Sequence, residues 1–264
     1  MNVHPAAWVV WTLCGGLVAL STTNPFYLVV VFAAAWVVHA AHRHAGPGIR
    51  SFRIFASFGL VTIITRTVLV FLGPVNRGSV VAAMLEGARL AVMLVVYGTF
   101  NSVSDPWRLL RLAPRRFHEP ALASVLALSI APRMIDAGLR VREAQRLRGI
   151  QGGRLRNLPA LAVPVLSTGM EEAVTLAESM DARGHGRGRR SHYRSDPWNV
   201  YSWVTVLAGI VPLTCIVLML RSGSQLTMPV YPLAWPDVSP WTVAALIVLA
   251  LPAVLPPADQ ADGA

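Results

Sequence analysis

VYSWVTVLAGIVPLTCIVLML, residues 200–220, runs for twenty-one positions without a formal charge. About 20 apolar residues in a helix cover the ~30 Å of a bilayer's hydrocarbon, so this stretch reads as a membrane span. Five other stretches share its character: residues 6–20, 26–41, 52–72, 80–103 and 241–255. Ser21-Thr22-Thr23-Asn24-Pro25 separates the first two as a tight polar turn. The first is short, and Trp8 and Trp11 suit it to a membrane interface. With no basic leader and no small-residue cleavage site before it, it is expected to be retained as a span. The chain is 54% hydrophobic and only 14% charged, a balance that excludes an ordinary soluble domain. The expected fold class is all-α, a polytopic protein of about six transmembrane helices with further helices lying along one membrane face.

Charge sets the orientation. All 23 basic residues are Arg. The loop between the second and third spans carries Arg43, Arg50 and Arg53, and residues 101–199 carry 16 Arg against nine acids. The opposite loops carry none, Arg77 alone and Arg221 alone. By the positive-inside rule both termini and the long central region lie in the cytoplasm, in a multi-pass protein of the cell's inner or plasma membrane. Three parts follow: an N-terminal four-helix membrane part (1–103), a cytoplasmic helical region (104–199), and a C-terminal membrane hairpin with its tail (200–264). The net charge of +10 raises the question of nucleic acid. Aromatic residues do not interleave with the arginines, so no nucleic-acid partner is expected. Cys14 and Cys215 both sit in apolar runs, which speaks against a disulfide framework or a metal site.

The central region carries helix signals throughout, as a connection of this length should. Ser104-Asp105-Pro106-Trp107 supplies a capping residue and then Pro at a first helical position, and Ser195-Asp196-Pro197-Trp198 repeats it before the fifth span. A short amphipathic element follows at Leu109, Leu110, Leu112, Arg115 and Arg116. Residues 119–148 form a long run, apolar over 121–130 and basic over 133–148, which Pro132 is expected to bend. Residues 164–182 form a second.

Both runs end alike. Glu143-Ala144-Gln145-Arg146-Leu147-Arg148-Gly149 and Glu178-Ser179-Met180-Asp181-Ala182-Arg183-Gly184 share Glu-x4-Arg-Gly, with Arg148 and Arg183 thirty-five positions apart. Taken singly, such an end is ordinary: Gly accepts the left-handed conformation that stops a helix, and Arg faces the negative end of the helix dipole. Taken as a pair, each followed by more glycine and arginine (Gln151-Gly152-Gly153-Arg154 and His185-Gly186-Arg187-Gly188), they suggest a docking surface. A guanidinium held on a rigid helix end offers a planar, bidentate donor to a partner's carboxylate.

The order of these features resembles the transmembrane T component of energy-coupling factor (ECF) type ABC transporters, the family of the cobalt and biotin T subunits. In that family two cytoplasmic coupling helices each end in an Ala-Arg-Gly-like triplet that inserts into a paired ATPase. Ala182-Arg183-Gly184 fits the triplet fully, and Leu147-Arg148-Gly149 departs at its first position. The resemblance extends from about residue 86 to residue 194. It implies that Arg148 and Arg183 each contact one of two ATP-binding cassette subunits, with Glu143, Arg146, Glu178 and Asp181 supporting the helix ends. It also implies a separate substrate-binding membrane (S) subunit, uptake of a vitamin or metal ion, and no catalysis by this chain. No cofactor is expected, ATP being bound by the partners. The sequence agrees: it has no G-x-x-x-x-G-K-[ST] loop, and no HExxH, CxxC or GxSxG. The apolar faces of residues 121–130 and 158–170 would then hold the S subunit or the bundle.

Ionisable residues inside spans are costly. Arg66 and Glu86 each lie about six residues from the outer end of a span, roughly 10 Å deep, and are expected to pair. Arg89, at i+3 from Glu86, is expected to join them. His39, His42 and His44 read as interfacial polar residues, and no metal is assigned to them. The alternative function is a membrane-embedded enzyme acting on an anionic lipid or phosphate, with His185 and Glu178 or Asp181 as its acid and base.

Overall fold

The computed structural model describes residues 3–42, 47–73, 76–110, 112, 117–149, 158–184, 197–223, 226–229 and 235–255. Among them there is no strand. The described residues form nine helices in order: α1 (Pro5–Ser21), α2 (Pro25–His42), α3 (Pro47–Leu69, extended by a 3-10 turn Val70–Leu72), α4 (Arg77–Val103), α5 (Pro106–Leu110), α6 (His118–Leu147), α7 (Leu158–Ala182), α8 (Val200–Arg221) and α9 (Pro240–Ile247, continued as a 3-10 helix Val248–Val254). They form two compact units, Met1–Leu109 with Asp196–Ala264, and Leu110–Ser195.

Among the described residues five helices are long and apolar enough to cross a membrane: Pro25–His42, Arg50–Leu72, Arg77–Val103, Glu119–Leu147 and Val200–Arg221. Six spans were expected, and the first and last fall among the shorter apolar helices, Pro5–Ser21 and Pro240–Val254. The 17 residues of α1 make about 25 Å of helix, short of the hydrocarbon thickness. α9 changes to 3-10 winding at Val248, where Pro252 has no N–H to return an α-helical hydrogen bond to that residue. Glu119–Leu147, read from sequence as a membrane-parallel helix, also has the length and apolar content of a span, owing to the uncharged run of residues 120–132.

The first unit has its core among α1, α2, α4, α8 and the α9 segment. Trp11 is fully buried and its indole Nε1–H donates to the Leu249 carbonyl at 3.1 Å. Pro252 again explains the vacancy: a 3-10 bond to Leu249 would need its missing N–H, and Trp11 fills the place. The Ser21–Pro25 turn, read from sequence as a tight polar turn, buries Thr22 and Asn24. Thr22 donates to the Leu226 carbonyl at 2.6 Å, and Asn24 Nδ2 to the Asp237 carbonyl at 3.1 Å. Asn24 Oδ1 accepts from the Phe26 N–H at 3.0 Å and so starts α2. The α8–α9 connection thus lies over the α1–α2 turn.

α3 packs against α4 through close backbone approach. A Cβ at Gly87 would stand 2.8 Å from Ile63 Cα, so only glycine allows this distance. At the other end of the bundle His39 and His42 are buried. His39 Nδ1 and Ser102 Oγ lie 2.8 Å apart, and Ser102 Oγ also lies 2.8 Å from the Thr99 carbonyl. The His39 ring stacks on Phe52, with centroids 3.7 Å apart. His44 lies outside the described residues.

In the second unit α6 continues through Pro132, and α7 begins six residues before its expected start. Pro164 stays inside α7 and gives up one i to i−4 hydrogen bond. Arg115 and Arg116 lie outside the described residues.

Candidate functional site

The two Arg-Gly segments close their helices with one and the same backbone geometry. α6 stops at Leu147, Arg148 caps it at φ −82° and ψ 5°, and Gly149 follows at φ +71°. Arg148 N–H donates to the Ala144 carbonyl at 3.2 Å and Gly149 N–H to the Arg146 carbonyl at 3.0 Å. At the end of α7 Arg183 N–H donates to the Ser179 carbonyl at 3.2 Å and Gly184 N–H to the Asp181 carbonyl at 2.8 Å, with Gly184 at φ +74°. These are left-handed glycine caps, which satisfy the last orphan carbonyls and turn the chain away from the axis. A Cβ at either glycine would meet nothing within 4 Å, so glycine is required by conformation and not by crowding.

Each cap leaves its arginine outside. Arg148 and Arg183 are exposed, and neither guanidinium has a hydrogen-bond or ion-pair partner among the described residues. Leu147 is 90% exposed. Ala182, Glu143, Arg146, Glu178 and Asp181 are exposed as well.

The helices behind these ends pack on each other in opposite directions. Gly169 of α7 faces Met134 of α6, where a Cβ would come within 2.8 Å of the Met134 sulfur. Gly138 faces Val165 at 3.9 Å, so advancing along α6 means going back along α7. Toward the α7 end, Leu126 and Ile130 face Leu176, Met180 and Asp181 across an apolar groove of about 360 Å³. From the Met134–Gly169 contact, Arg148 lies fourteen residues along α6 and Arg183 fourteen residues along α7. Each arm is therefore about 21 Å of helix, and the arms point opposite ways. Glu172 lies one turn from the contact, and no sequence feature singled it out. Its Oε2 is buried with no hydrogen-bond partner among the described residues. Its place in the row Gly169, Glu172, Leu176 is the one signal that could have found it.

A third left-handed glycine serves as a comparison. At the end of α8 Gly223 has φ +74° and its N–H donates to the Leu220 carbonyl at 3.3 Å. There the cap residue is Ser222, and Arg221 stands one position earlier, on the helix itself. Glycine at this place is thus a general stop, while Arg in the cap position belongs to α6 and α7.

Within the bundle Arg66 Nη2 lies 3.0 Å from Glu86 Oε2. Arg89 does not join them. Its Nη1 points to the Leu20 carbonyl at 3.5 Å, because the C-terminal end of α1, with its unpaired carbonyls, lies on that side of α4. Among the described residues no group of three His, Cys, Asp or Glu could hold a metal ion. His185, the acid or base of the enzyme alternative, lies outside the described residues, as do the Gly-Arg stretches at 151–154 and 185–188.

No protein-family model matches the chain. Among curated proteins it is similar to the energy-coupling factor transporter transmembrane protein EcfT of Macrococcus caseolyticus, 30% identical over 129 residues that cover 46% of this chain and 47% of the relative. The EcfT protein of Lactobacillus helveticus is 32% identical over 111 residues, 39% of this chain and 40% of the relative. A putative ABC transporter ATP-binding protein of Bifidobacterium longum is 28% identical over 155 residues, 52% of this chain but 20% of that longer protein. The chain spans about half the length of the curated EcfT relatives it matches.

Proposed function

We propose that this chain, a multi-pass membrane relative of the EcfT transmembrane proteins, is the T component of an ECF-type ABC importer. In this reading it joins two ATP-binding cassette subunits to a substrate-binding membrane subunit and itself performs no chemistry. The observation that carries the reading is the matched pair of arginine caps at equal reach from the α6–α7 contact. Each cap holds a guanidinium outside a rigid helix end, as a bidentate contact with a carboxylate in a partner's groove requires. When ATP draws the two motor subunits together, each grips one helix end, and α6 and α7 act as levers about their contact. Those levers pass the movement to the substrate-binding subunit through their exposed apolar faces, Val163, Leu166 and Met170 on α7 among them. Both termini and the α6–α7 unit face the cytoplasm in this arrangement, following the arginine bias. A vitamin or a metal ion is the substrate class.

The test is co-purification. The full chain, expressed with its neighbouring ATP-binding and membrane subunits and solubilised in mild detergent, should bring down both ATP-binding subunits. Arg148→Glu with Arg183→Glu should abolish that association, about a hundredfold or more in apparent affinity, while thermal unfolding of the bundle stays unchanged. Association that survives the double reversal would overturn the assignment. So would wild-type protein that purifies alone and turns over a lipid phosphate.

A further inference from the structure

α3 is held along one side only. Phe52 and Phe55 meet Gly98 of α4, Gly59 meets Ala91 and Ile63 meets Gly87, a row at helical spacing that marks the packed face. On the opposite face Arg50, Ile54, Phe58, Val61 and Ile64 follow at steps of three and four, with Arg53 beside the first of them, and all six are exposed. Neither arginine has a hydrogen-bond or ion-pair partner among the described residues. The first turn of α3 contains no acid, and positive charge near the positive pole of a helix is unfavourable to the helix itself. Local helix stability therefore does not explain the pair. At the other end of the same helix Arg66 does have its counter-charge, Glu86 at 3.0 Å.

The open face thus begins with two unpaired guanidiniums and continues without a break into an apolar strip. From Arg53 to Ile64 the helix rises about 16 Å, close to the ~15 Å of hydrocarbon in one leaflet. A charged head and an apolar body of that length belong to one kind of molecule. We propose that this face of α3 is a binding site for an anionic phospholipid, with the phosphodiester on Arg50 and Arg53 and an acyl chain along Ile54, Phe58, Val61 and Ile64. Arginine suits the headgroup because its planar fork meets two phosphate oxygens at once. The arginine bias sets this end of α3 at the cytoplasmic leaflet, where anionic lipids attract basic side chains next to a span. The site is separate from the Arg148 and Arg183 ends, which belong to the other unit.

The test uses the full chain, delipidated in dodecyl maltoside and titrated with dioleoyl phosphatidylglycerol or dioleoyl phosphatidylcholine, with bound lipid counted by native mass spectrometry. Phosphatidylglycerol should be retained at much lower concentration than phosphatidylcholine, and glycerol phosphate should not displace it. Arg50→Gln with Arg53→Gln should raise the half-saturating phosphatidylglycerol concentration about thirtyfold, a factor of about five for each arginine, and leave phosphatidylcholine unchanged. Arg221→Gln, which removes a charge from the end of α8, should change neither. Phe58→Ala should weaken both lipids alike, since it shortens the strip and not the headgroup site. Ionic strength of about 1 M, with a Debye length of about 3 Å, should erase most of the preference for phosphatidylglycerol. If the double arginine variant does not fold, the salt dependence and Phe58→Ala decide the matter. Equal retention of the two lipids, a loss in Arg221→Gln as large as in the arginine pair, no effect of Phe58→Ala, or full displacement by glycerol phosphate would each overturn the proposal. A photo-cross-linker at position 58 that captures another membrane subunit and no lipid would make the face a protein interface and overturn it as well.

Discussion

The two units of this chain differ in what holds them together. The bundle buries Trp11, Tyr27, Val31, Val38, Val96 and many others almost completely, and closes its polar ends with hydrogen bonds such as Thr22 to Leu226. The α6–α7 unit has Ala137 as its one buried hydrophobic residue among those described, while Ile135, Leu139, Val163, Leu166, Met170 and Val174 lie open. A pair of helices cannot enclose a core, so its apolar faces need a further surface to cover them. The difference separates a frame that is complete in itself from a pair of helices whose apolar faces lie open.

The largest break in this comparison comes from the frame. Trp11→Ala removes a fully buried indole and its bond to Leu249, and should lower stability by about 4 kcal/mol, seen as a drop in detergent unfolding temperature. Met170→Ala, an equally apolar site on the lever, should change unfolding by less than about 0.5 kcal/mol yet weaken assembly with the membrane partner. Similar losses in unfolding at both sites would mean that the lever has a core of its own.

A smaller effect has opposite signs in the two units. Glu86→Gln removes the carboxylate paired with Arg66 and should cost about 1 kcal/mol, part of which Arg66→Met restores in the double variant. Glu172→Leu removes a buried oxygen that no donor among the described residues meets and should stabilise the α6–α7 contact by about 1 kcal/mol. Hydrogen exchange of α6 and α7 amides reads the second change directly, and faster exchange in Glu172→Leu would show that the carboxylate is satisfied there. Smallest of all is Arg221→Glu. Its helix shares the glycine stop but has Ser222 in the cap position, so co-purification with ATP-binding subunits should not change. A loss there would show that any arginine near such a cap serves, and that position in the cap does not matter.

Much of the architecture is legible in a line of residues because a bilayer imposes few options. Apolar runs near residues 26–41, 52–72, 80–103 and 200–220 reappear as long helices, since hydrocarbon forces each span to satisfy its own backbone. The ends at Arg148 and Arg183 are equally local: a glycine at φ above +70° and an arginine before it follow from five residues. Arg66 and Glu86 were placed at equal depth by counting, and α3 and α4, antiparallel neighbours, bring them to 3.0 Å. Arg89 shows where counting stops. Spacing of three puts it on the face of Glu86, yet its direction is decided by the end of α1, sixty-nine residues earlier.

What the sequence determined by itself is therefore whatever a helix or a bilayer decides within a few turns: the spans, their arginine bias, and two helix ends bearing the same cap. The folded chain alone decided which groups meet across long separations. It set the α8–α9 connection over Thr22 and Asn24, turned Trp11 to the carbonyl that Pro252 leaves free, buried Glu172 Oε2, and placed Met134 against Gly169 midway between two arginines. Such contacts depend on packing among helices distant in sequence, and packing has no short-range period to read.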